Sequence, residues 1–492
     1  MSGLSKRRTI GLFLGPLLFV IWLLVPAPAD MPAAGWRVAA VAALMAVWWI
    51  TEAIPIAATA LVPIALFPIL RVMPSAEVTV SYANHLIYLF LGGFLIAVTI
   101  ERWNLHRRIA LLTIRLIGSS PNRIILGFML ATAGLSMWIS NTATAMMMLP
   151  IGLAVIQQAS RMLGRSDDSE TPSFRFGTAL MLGIAYSASI GGIATLIGTP
   201  PNAILVGVLE KTFAESITFL DWMEVGLPLS AILLVLTWLY LTRIACRSEI
   251  STLPGGVELI ESELRDLGPV TREQKWVLGV FTAVAAAWIF RGLVPWKALD
   301  MVDDPTIAIA GALALFLIPS DWRRGVFLLD WKTAVRIPWD VIVLFGGGFA
   351  LANGFSSSGL TQWIASNLNA LQGTSPVILI GVTGLVIIFL TEITSNTATA
   401  SLSLPLVAAF AEAVHLHPLG LMVTVAIAAS LAFMMPVATP PNAIVYSSRY
   451  VTMPQMAATG LGLNLISAVV LLLIVLYWLP YVWGISLTGL GG

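Results

Sequence analysis

Apolar windows follow one another from residue 9 to residue 482, and a chain built this way has few folds open to it. Backbone that crosses hydrocarbon must satisfy its own amides and carbonyls, which favours helices. The composition agrees: of 492 residues, 58% are hydrophobic and only 10% are charged. Soluble domains carry about 25% charged residues, so this chain lacks the polar surface to cover a globule of its size. An all-α polytopic membrane protein is the predicted class. The net charge is +1 and no basic patch has interleaved aromatics, so no nucleic-acid partner is expected. The single cysteine, Cys246, excludes intramolecular disulfides. The four histidines (His85, His106, His415, His417) offer no ligand-like spacing beyond one His-x-His, so no Cys/His metal centre and no cofactor are expected.

Eleven spans are predicted near 9–26, 36–53, 54–72, 86–101, 177–208, 223–243, 275–292, 303–318, 339–355, 421–447 and 459–482. Lys6-Arg7-Arg8 before the first of them reads as the inside anchor of an uncleaved span; a signal peptide ending near Ala27-Pro28-Ala29 is the alternative. Two more apolar stretches, 122–157 and 375–413, lie between spans. If the N-terminus is inside and both stretches enter and leave by one face, 21 Lys and Arg fall inside and 5 outside. Were either stretch to cross, every later loop would change sides. The bias therefore predicts two re-entrant hairpins, a cytoplasmic N-terminus, an external C-terminus and a multi-pass protein of the bacterial inner membrane. The predicted organisation is an N-terminal span (1–35), a first repeat (36–247), a polar cytoplasmic linker too short for a core (248–274) and a second repeat (275–492).

The repeat is explicit. Ser140-Asn141-Thr142-Ala143-Thr144-Ala145 recurs as Ser395-Asn396-Thr397-Ala398-Thr399-Ala400, and Thr199-Pro200-Pro201-Asn202-Ala203-Ile204 recurs as Thr439-Pro440-Pro441-Asn442-Ala443-Ile444. A looser pair matches Leu89–Phe94 to Leu344–Phe349, at the same offset of 255 residues as the first. The predicted topology runs Gly92-Gly93 and Gly347-Gly348 in opposite directions, so the halves are inverted. Inverted repeats with broken segments at matching positions are the pattern of secondary transporters, whose binding site lies near the midplane.

Each Ser-Asn-Thr sits where a hairpin must turn, and such short polar residues cap helices there. Helix N-termini beginning at these motifs present N–H groups and a positive dipole end to an anion. Each Thr-Pro-Pro breaks a span and leaves carbonyls free at Gly198 and Ala438, oxygen ligands of the kind hard cations take. No Lys or Arg falls within or beside these motifs. A dianion at membrane depth needs compensation, and cations entering with it supply that charge. The Gly-rich runs read as close helix packing, and Asp303, Asp304 and Asp340 as solvated span ends. Glu52 and Glu392 are embedded in apolar sequence; Glu392 aligns with Met137, and hairpin support and coupling are both open to it.

On these motifs, and on Trp48-Trp49-Ile50-Thr51-Glu52-Ala53-Ile54-Pro55, nearly the whole chain resembles the divalent anion/sodium symporter family, the sodium-dicarboxylate and sodium-citrate transporters. The resemblance implies a homodimer in which each protomer has a scaffold part and a transport part that slides as an elevator. It implies that Ser140, Asn141, Thr142, Ser395, Asn396 and Thr397 hold carboxylates, with Thr199, Pro200, Thr439 and Pro440 nearby. One sodium would lie among Ser136, Ser140, Asn141 and Gly198. The second would lie among Thr391, Thr394, Asn396 and Ala438. Ser136 aligns with Thr391, but Thr394 aligns with Ile139, so at that position only main-chain oxygen is common to both halves. Sodium-coupled movement of small dicarboxylates such as succinate, malate or fumarate is the expected function. A sodium-independent exchanger, or a sulfate or tricarboxylate porter on the same scaffold, is the alternative. An anion channel fits the broken segments less well, and no nucleophile–base pair or phosphate loop suggests an enzyme.

Overall fold

The computed structural model describes residues 6–28, 30–118, 120–162, 174–250, 256–293, 301–367 and 373–487. They are mostly helical; a two-stranded antiparallel ribbon, Pro319–Asp321 with Val326–Phe327, is the one sheet among them. Eight described helices are long and apolar enough to cross a membrane, and Ile56–Ile69, Asp304–Leu317, Pro376–Thr391 and Pro418–Ala428 are shorter apolar segments.

The predicted spans fall on helices with a few informative departures. The 54–72 window is split into Ile56–Thr59 and Val62–Ile69, the second carrying Pro63 in its first turn, where a missing N–H is harmless. The 177–208 window becomes Arg175–Ile193, a non-helical stretch, then Pro200–Phe213. Its counterpart becomes Pro418–Ala428, a longer non-helical stretch, then Pro440–Ser447. Each apolar stretch between spans folds as a helix pair: Pro121–Ser136 with Asn141–Met162, and Pro376–Thr391 with Asn396–Ala413.

The halves pack by exchanging partners. Arg175–Ile193 lies against Pro121–Ser136 of its own half and Pro440–Ser447 of the other. Pro418–Ala428 does the same with Pro376–Thr391 and Pro200–Phe213. Residues 176–193 of Arg175–Ile193 are all buried, and small residues permit this. A β-carbon on its Gly191 would lie 2.3 Å from the Ala133 carbonyl oxygen.

Polar groups seal the periphery. Amphipathic Leu105–Ile117 docks the helix Gly256–Asp266 of the polar insertion. Buried Arg108 donates to the Gln274 side chain at 2.9 Å and to the Gly268 carbonyl at 2.8 Å, while Arg107 pairs with Glu263. One expectation is corrected here. Asp304 is not a solvated span end: it is 6% exposed, 2.9 Å from Arg291, and accepts from the Phe219 N–H at 2.8 Å. Sequence position put it at a helix start, but the elements carrying Phe219 and Arg291 close over that start. Asp303 does cap the helix, accepting from the Thr306 N–H at 2.8 Å.

The Gly-rich runs are packing contacts. A β-carbon on Gly92 would lie 2.5 Å from the Ala308 carbonyl carbon, whereas one on Gly134 meets nothing within 4 Å. Gly92→Val should therefore destabilise the purified protein by about 2–3 kcal/mol through overpacking. Gly134→Ala, on an open helix face, should be neutral or stabilising by up to about 1 kcal/mol. Thermal unfolding in detergent checks both, and equal melting temperatures for the two variants would refute the packing assignment.

Candidate functional site

Four helix interruptions build the site. The first pair turns between Ser136 and Asn141, the second between Thr391 and Asn396. Short polar side chains cap the outgoing helices: Ser140 Oγ accepts from the Ala143 N–H and Ser395 Oγ from the Ala398 N–H, both at 3.2 Å. Beyond the breaks, Pro200-Pro201 and Pro440-Pro441 start new helices where no N–H is needed. Thr439 Oγ1 accepts from the Asn442 N–H at 3.3 Å, while the Thr199 hydroxyl lies 3.5 Å from that of Ser430 and joins the two breaks.

These four helix starts meet at one cavity of about 540 Å³. All ten residues expected at the substrate line it: Ser140, Asn141, Thr142, Thr199, Pro200, Ser395, Asn396, Thr397, Thr439 and Pro440, together with Gly198 and Ala438. Helix N-termini carry roughly half a positive charge each, so the arrangement suits an anion.

The expected cation ligands lie partly on the cavity wall (Ser140, Asn141, Gly198, Asn396, Ala438) and partly beyond it (Ser136, Thr391). In the first half, the Ser136 hydroxyl reaches Asn141 Oδ1 at 2.5 Å and the Ala188 carbonyl at 2.7 Å. In the second, the Thr391 hydroxyl reaches Asn396 Oδ1 and the Ala429 carbonyl, both at 2.9 Å. A β-carbon built on Gly192 would lie 2.7 Å from Asn141 Oδ1 and 3.1 Å from the Gly198 carbonyl oxygen, so those oxygens converge on a cradle a methyl would fill. Neutral, converging oxygens fit a hard monovalent cation. Thr394 is placed differently: its hydroxyl donates to the Leu390 carbonyl at 2.8 Å and lies 2.5 Å from that of Thr399, back along the hairpin.

The breaks are pinned by residues that motif reading passed over. Buried Asn202 donates to the Thr195 carbonyl at 2.8 Å, and buried Asn442 to the Ala432 and Met435 carbonyls at 3.1 Å. Their presence inside both copied Thr-Pro-Pro-Asn motifs was the available signal. The breaks are also tied to the hairpin tips. Thr195 Oγ1 donates to the Met137 carbonyl. Glu392, at the place of Met137, is 3% exposed and binds the opposite way. Its Oε1 accepts from the N–H groups of Phe433 (2.8 Å) and Met434 (2.9 Å) and from Asn464 Nδ2 (2.8 Å), and its Oε2 from the Met435 N–H (3.0 Å).

Other lining residues come from far along the chain. Exposed Arg336 and Asp340, with Glu101, line the cavity, so a basic group does reach its edge. Nothing in the local sequence of Arg336 separates it from other basic residues before a span. The Trp48-Trp49 segment contributes indirectly: buried Trp49 donates to the Ile56 carbonyl at 3.1 Å, fixing the turn that brings Ile56 and Ala57 to the cavity wall. Glu52 closes its helix in a left-handed conformation 3.5 Å from Arg8, away from the lining.

Apolar helices broken at matching points around a cavity with apolar walls and polar motif residues at the breaks define a membrane transporter. Two solved transporters share the fold: YdaH of Alcanivorax borkumensis, with TM-score 0.56 and 11% identity over 97% of this chain and 99% of that one, and MtrF of Neisseria gonorrhoeae, with 0.57 and 12% over 99% and 97%. At such identity the likeness concerns the fold alone. Residues 6–484 match the sodium:sulfate symporter transmembrane region, and the chain belongs to that family. Among its relatives are proteins named sodium-dependent dicarboxylate transporter SdcS. The one from Staphylococcus saprophyticus is 47% identical, and the one from Staphylococcus aureus 46%, each over 98% of this chain and 93% of the other.

If the asparagine clamps hold the breaks, Asn202→Ala and Asn442→Ala should each lower stability by about 1–3 kcal/mol, the cost of leaving buried carbonyls unpaired. Melting of the purified variants measures this; wild-type melting in either would show that its clamp carries no load.

Proposed function

We propose that this chain is a secondary active transporter that moves small dicarboxylates together with sodium. The observation that carries the reading is the convergence of four helix N-termini on one cavity whose motif residues bring no basic side chain. Each Ser-Asn-Thr tip offers hydroxyls, an amide and helix-end N–H groups to one carboxylate, so two tips suit a molecule with a carboxylate at each end. The remaining charge is offset by sodium held behind each tip, by Ser136, Ser140, Asn141 and the Gly198 carbonyl, and by Thr391, Asn396, the Ala438 carbonyl and main-chain oxygen at Thr394. Relatives named for sodium-dependent dicarboxylate transport support both halves of the proposal.

The topology proposed with it has eleven spans and two re-entrant hairpins (122–157 and 375–413) in inverted repeats over 36–247 and 275–492. The N-terminus is inside the bacterial inner membrane and the C-terminus outside. The excess of basic residues on one side and the exchange of helix partners between halves support it. A homodimer with a fixed scaffold and a sliding transport part completes the proposal, supported by the family resemblance. The cavity opens past Arg336 and Asp340, which lie on the basic side in this topology. Movement of the hairpins and broken helices as one body would carry the site to the other face.

Uptake of labelled succinate into proteoliposomes tests the proposal. Concentrative uptake into empty vesicles should require an inward sodium gradient. Uptake only into succinate-loaded vesicles, whatever the sodium, would make the protein an exchanger; inhibition by sulfate but no succinate uptake would redirect the substrate assignment. Asn141→Ala and Asn396→Ala should each abolish uptake while the protein still purifies folded. Gly192→Ala, which fills the cradle beside Asn141, should raise the sodium concentration for half-maximal uptake by about tenfold, the loss of roughly one good polar contact. An unchanged sodium requirement would argue against the cradle as a cation site.

A further inference from the structure

We propose that Arg336 is a specificity-determining residue at the mouth of the cavity, where it meets one carboxylate of the dicarboxylate as that molecule enters or leaves on the basic side. The proposal rests on the dicarboxylate reading and the topology above. It goes beyond them by giving one face of the protein a substrate contact that the other face lacks.

A clamp on the backbone places Arg336. At the end of the helix His85–Arg102, Arg102 pairs with Asp330 at 2.8 Å, and the Trp103 indole donates to the Leu328 carbonyl at 2.8 Å. Asp330 in turn caps the short helix Trp331–Ala334, accepting from the Thr333 N–H at 2.8 Å. The Arg336 N–H donates to the Thr333 carbonyl at 3.0 Å, just past the end of that helix. The guanidinium is thus carried on backbone held to the same helix that bears Glu101.

The basic residues nearby are placed otherwise. Arg323, Arg324 and Lys332 are also exposed, and Arg324 pairs with Asp321, yet none of the three lines the cavity. A charge that served only to keep its loop on the basic side would do as well at any of these positions. Arg336 does line the cavity, and no carboxylate among the described residues pairs with it. The carboxyl groups of Glu101 and Asp340 share the rim. Neither attracts an anion, so Arg336 is the point on the rim that does. Further in, the motif residues offer hydroxyls, amides and helix-end N–H groups but no positive side chain. An anion moving from water to the site therefore exchanges hydration first for a guanidinium and then for neutral donors.

The test compares succinate kinetics at the two faces, at saturating sodium. Uptake into intact cells reads the outer face, and uptake into everted membrane vesicles reads the cytoplasmic one. Arg336→Gln should raise the cytoplasmic KM by about fivefold, the size of a partly screened ion pair, and leave the outer KM within about twofold of wild type. Arg336→Lys keeps a point charge and should recover most of the lost affinity. Added potassium chloride should raise the wild-type cytoplasmic KM towards that of Arg336→Gln while barely moving the variant. An unchanged cytoplasmic KM in Arg336→Gln would overturn the proposal. So would equal shifts at both faces, or equal losses in the Gln and Lys variants, which indicate a structural role. A shift confined to the outer face overturns the proposal together with the topology beneath it. The side chain makes no hydrogen bond to a described residue, so these substitutions leave the clamp through Arg102 and Asp330 in place. Absence of any succinate transport by the wild type is a separate failure, of the dicarboxylate reading itself, and removes the substrate that Arg336 would meet.

Discussion

Everything in this structure depends on satisfying backbone that is not helical in the middle of an apolar bundle. The breaks at 194–199 and 429–439 each leave amides and carbonyls without partners in their own helix. Hydrocarbon provides none, so each group must be bonded by protein, water or ligand. Asn202 and Asn442 hold the carbonyl side of the two breaks, and Glu392 gathers three successive amides of the second. Carbonyls left over, at Gly198 and Ala438, face the cavity side, where an ion or substrate can use them. The site is thus what remains once the clamps have taken their share.

The halves meet this demand with different chemistry in one geometry. Gly192 and Gly198 approach so closely that a β-carbon on Gly198 would lie 2.4 Å from the Gly192 carbonyl oxygen. The repeat carries Ala432 and Ala438 at the corresponding positions, so the second turn accommodates a β-carbon at both. The second turn has the Glu392 carboxyl at its back, while the first is closed by Thr195 on Met137. A duplicated scaffold in this way holds two turns of matching geometry closed by different side chains.

Much of this was legible in the order of residues because two kinds of signal are local. Apolar windows located the helices to within a few residues, since burial in hydrocarbon acts on each segment separately. The copied Ser-Asn-Thr and Thr-Pro-Pro motifs located the interruptions, since capping residues and proline act on their own backbone. Illegible were contacts made by long-range packing. Arg336 and Asp340 look like ordinary residues at a span end until the fold brings them to the cavity. Asp304 reads as solvated until Phe219 and Arg291 close over it.

By itself, then, the sequence determined a membrane-embedded helical chain with two related halves, each broken twice, and named ten of the residues that line one cavity. It could do so because hydropathy, helix capping and repetition are properties of neighbouring residues. Tertiary structure alone decided that the four breaks meet at one cavity, which asparagines bear the unwound carbonyls, and that Glu392 faces three amides rather than a lysine or arginine. The meeting of the breaks and the placing of Glu392 depend on residues 40 or more positions apart arriving at the same point, as Glu392 and Phe433 do, whereas each asparagine reaches a carbonyl seven residues before it.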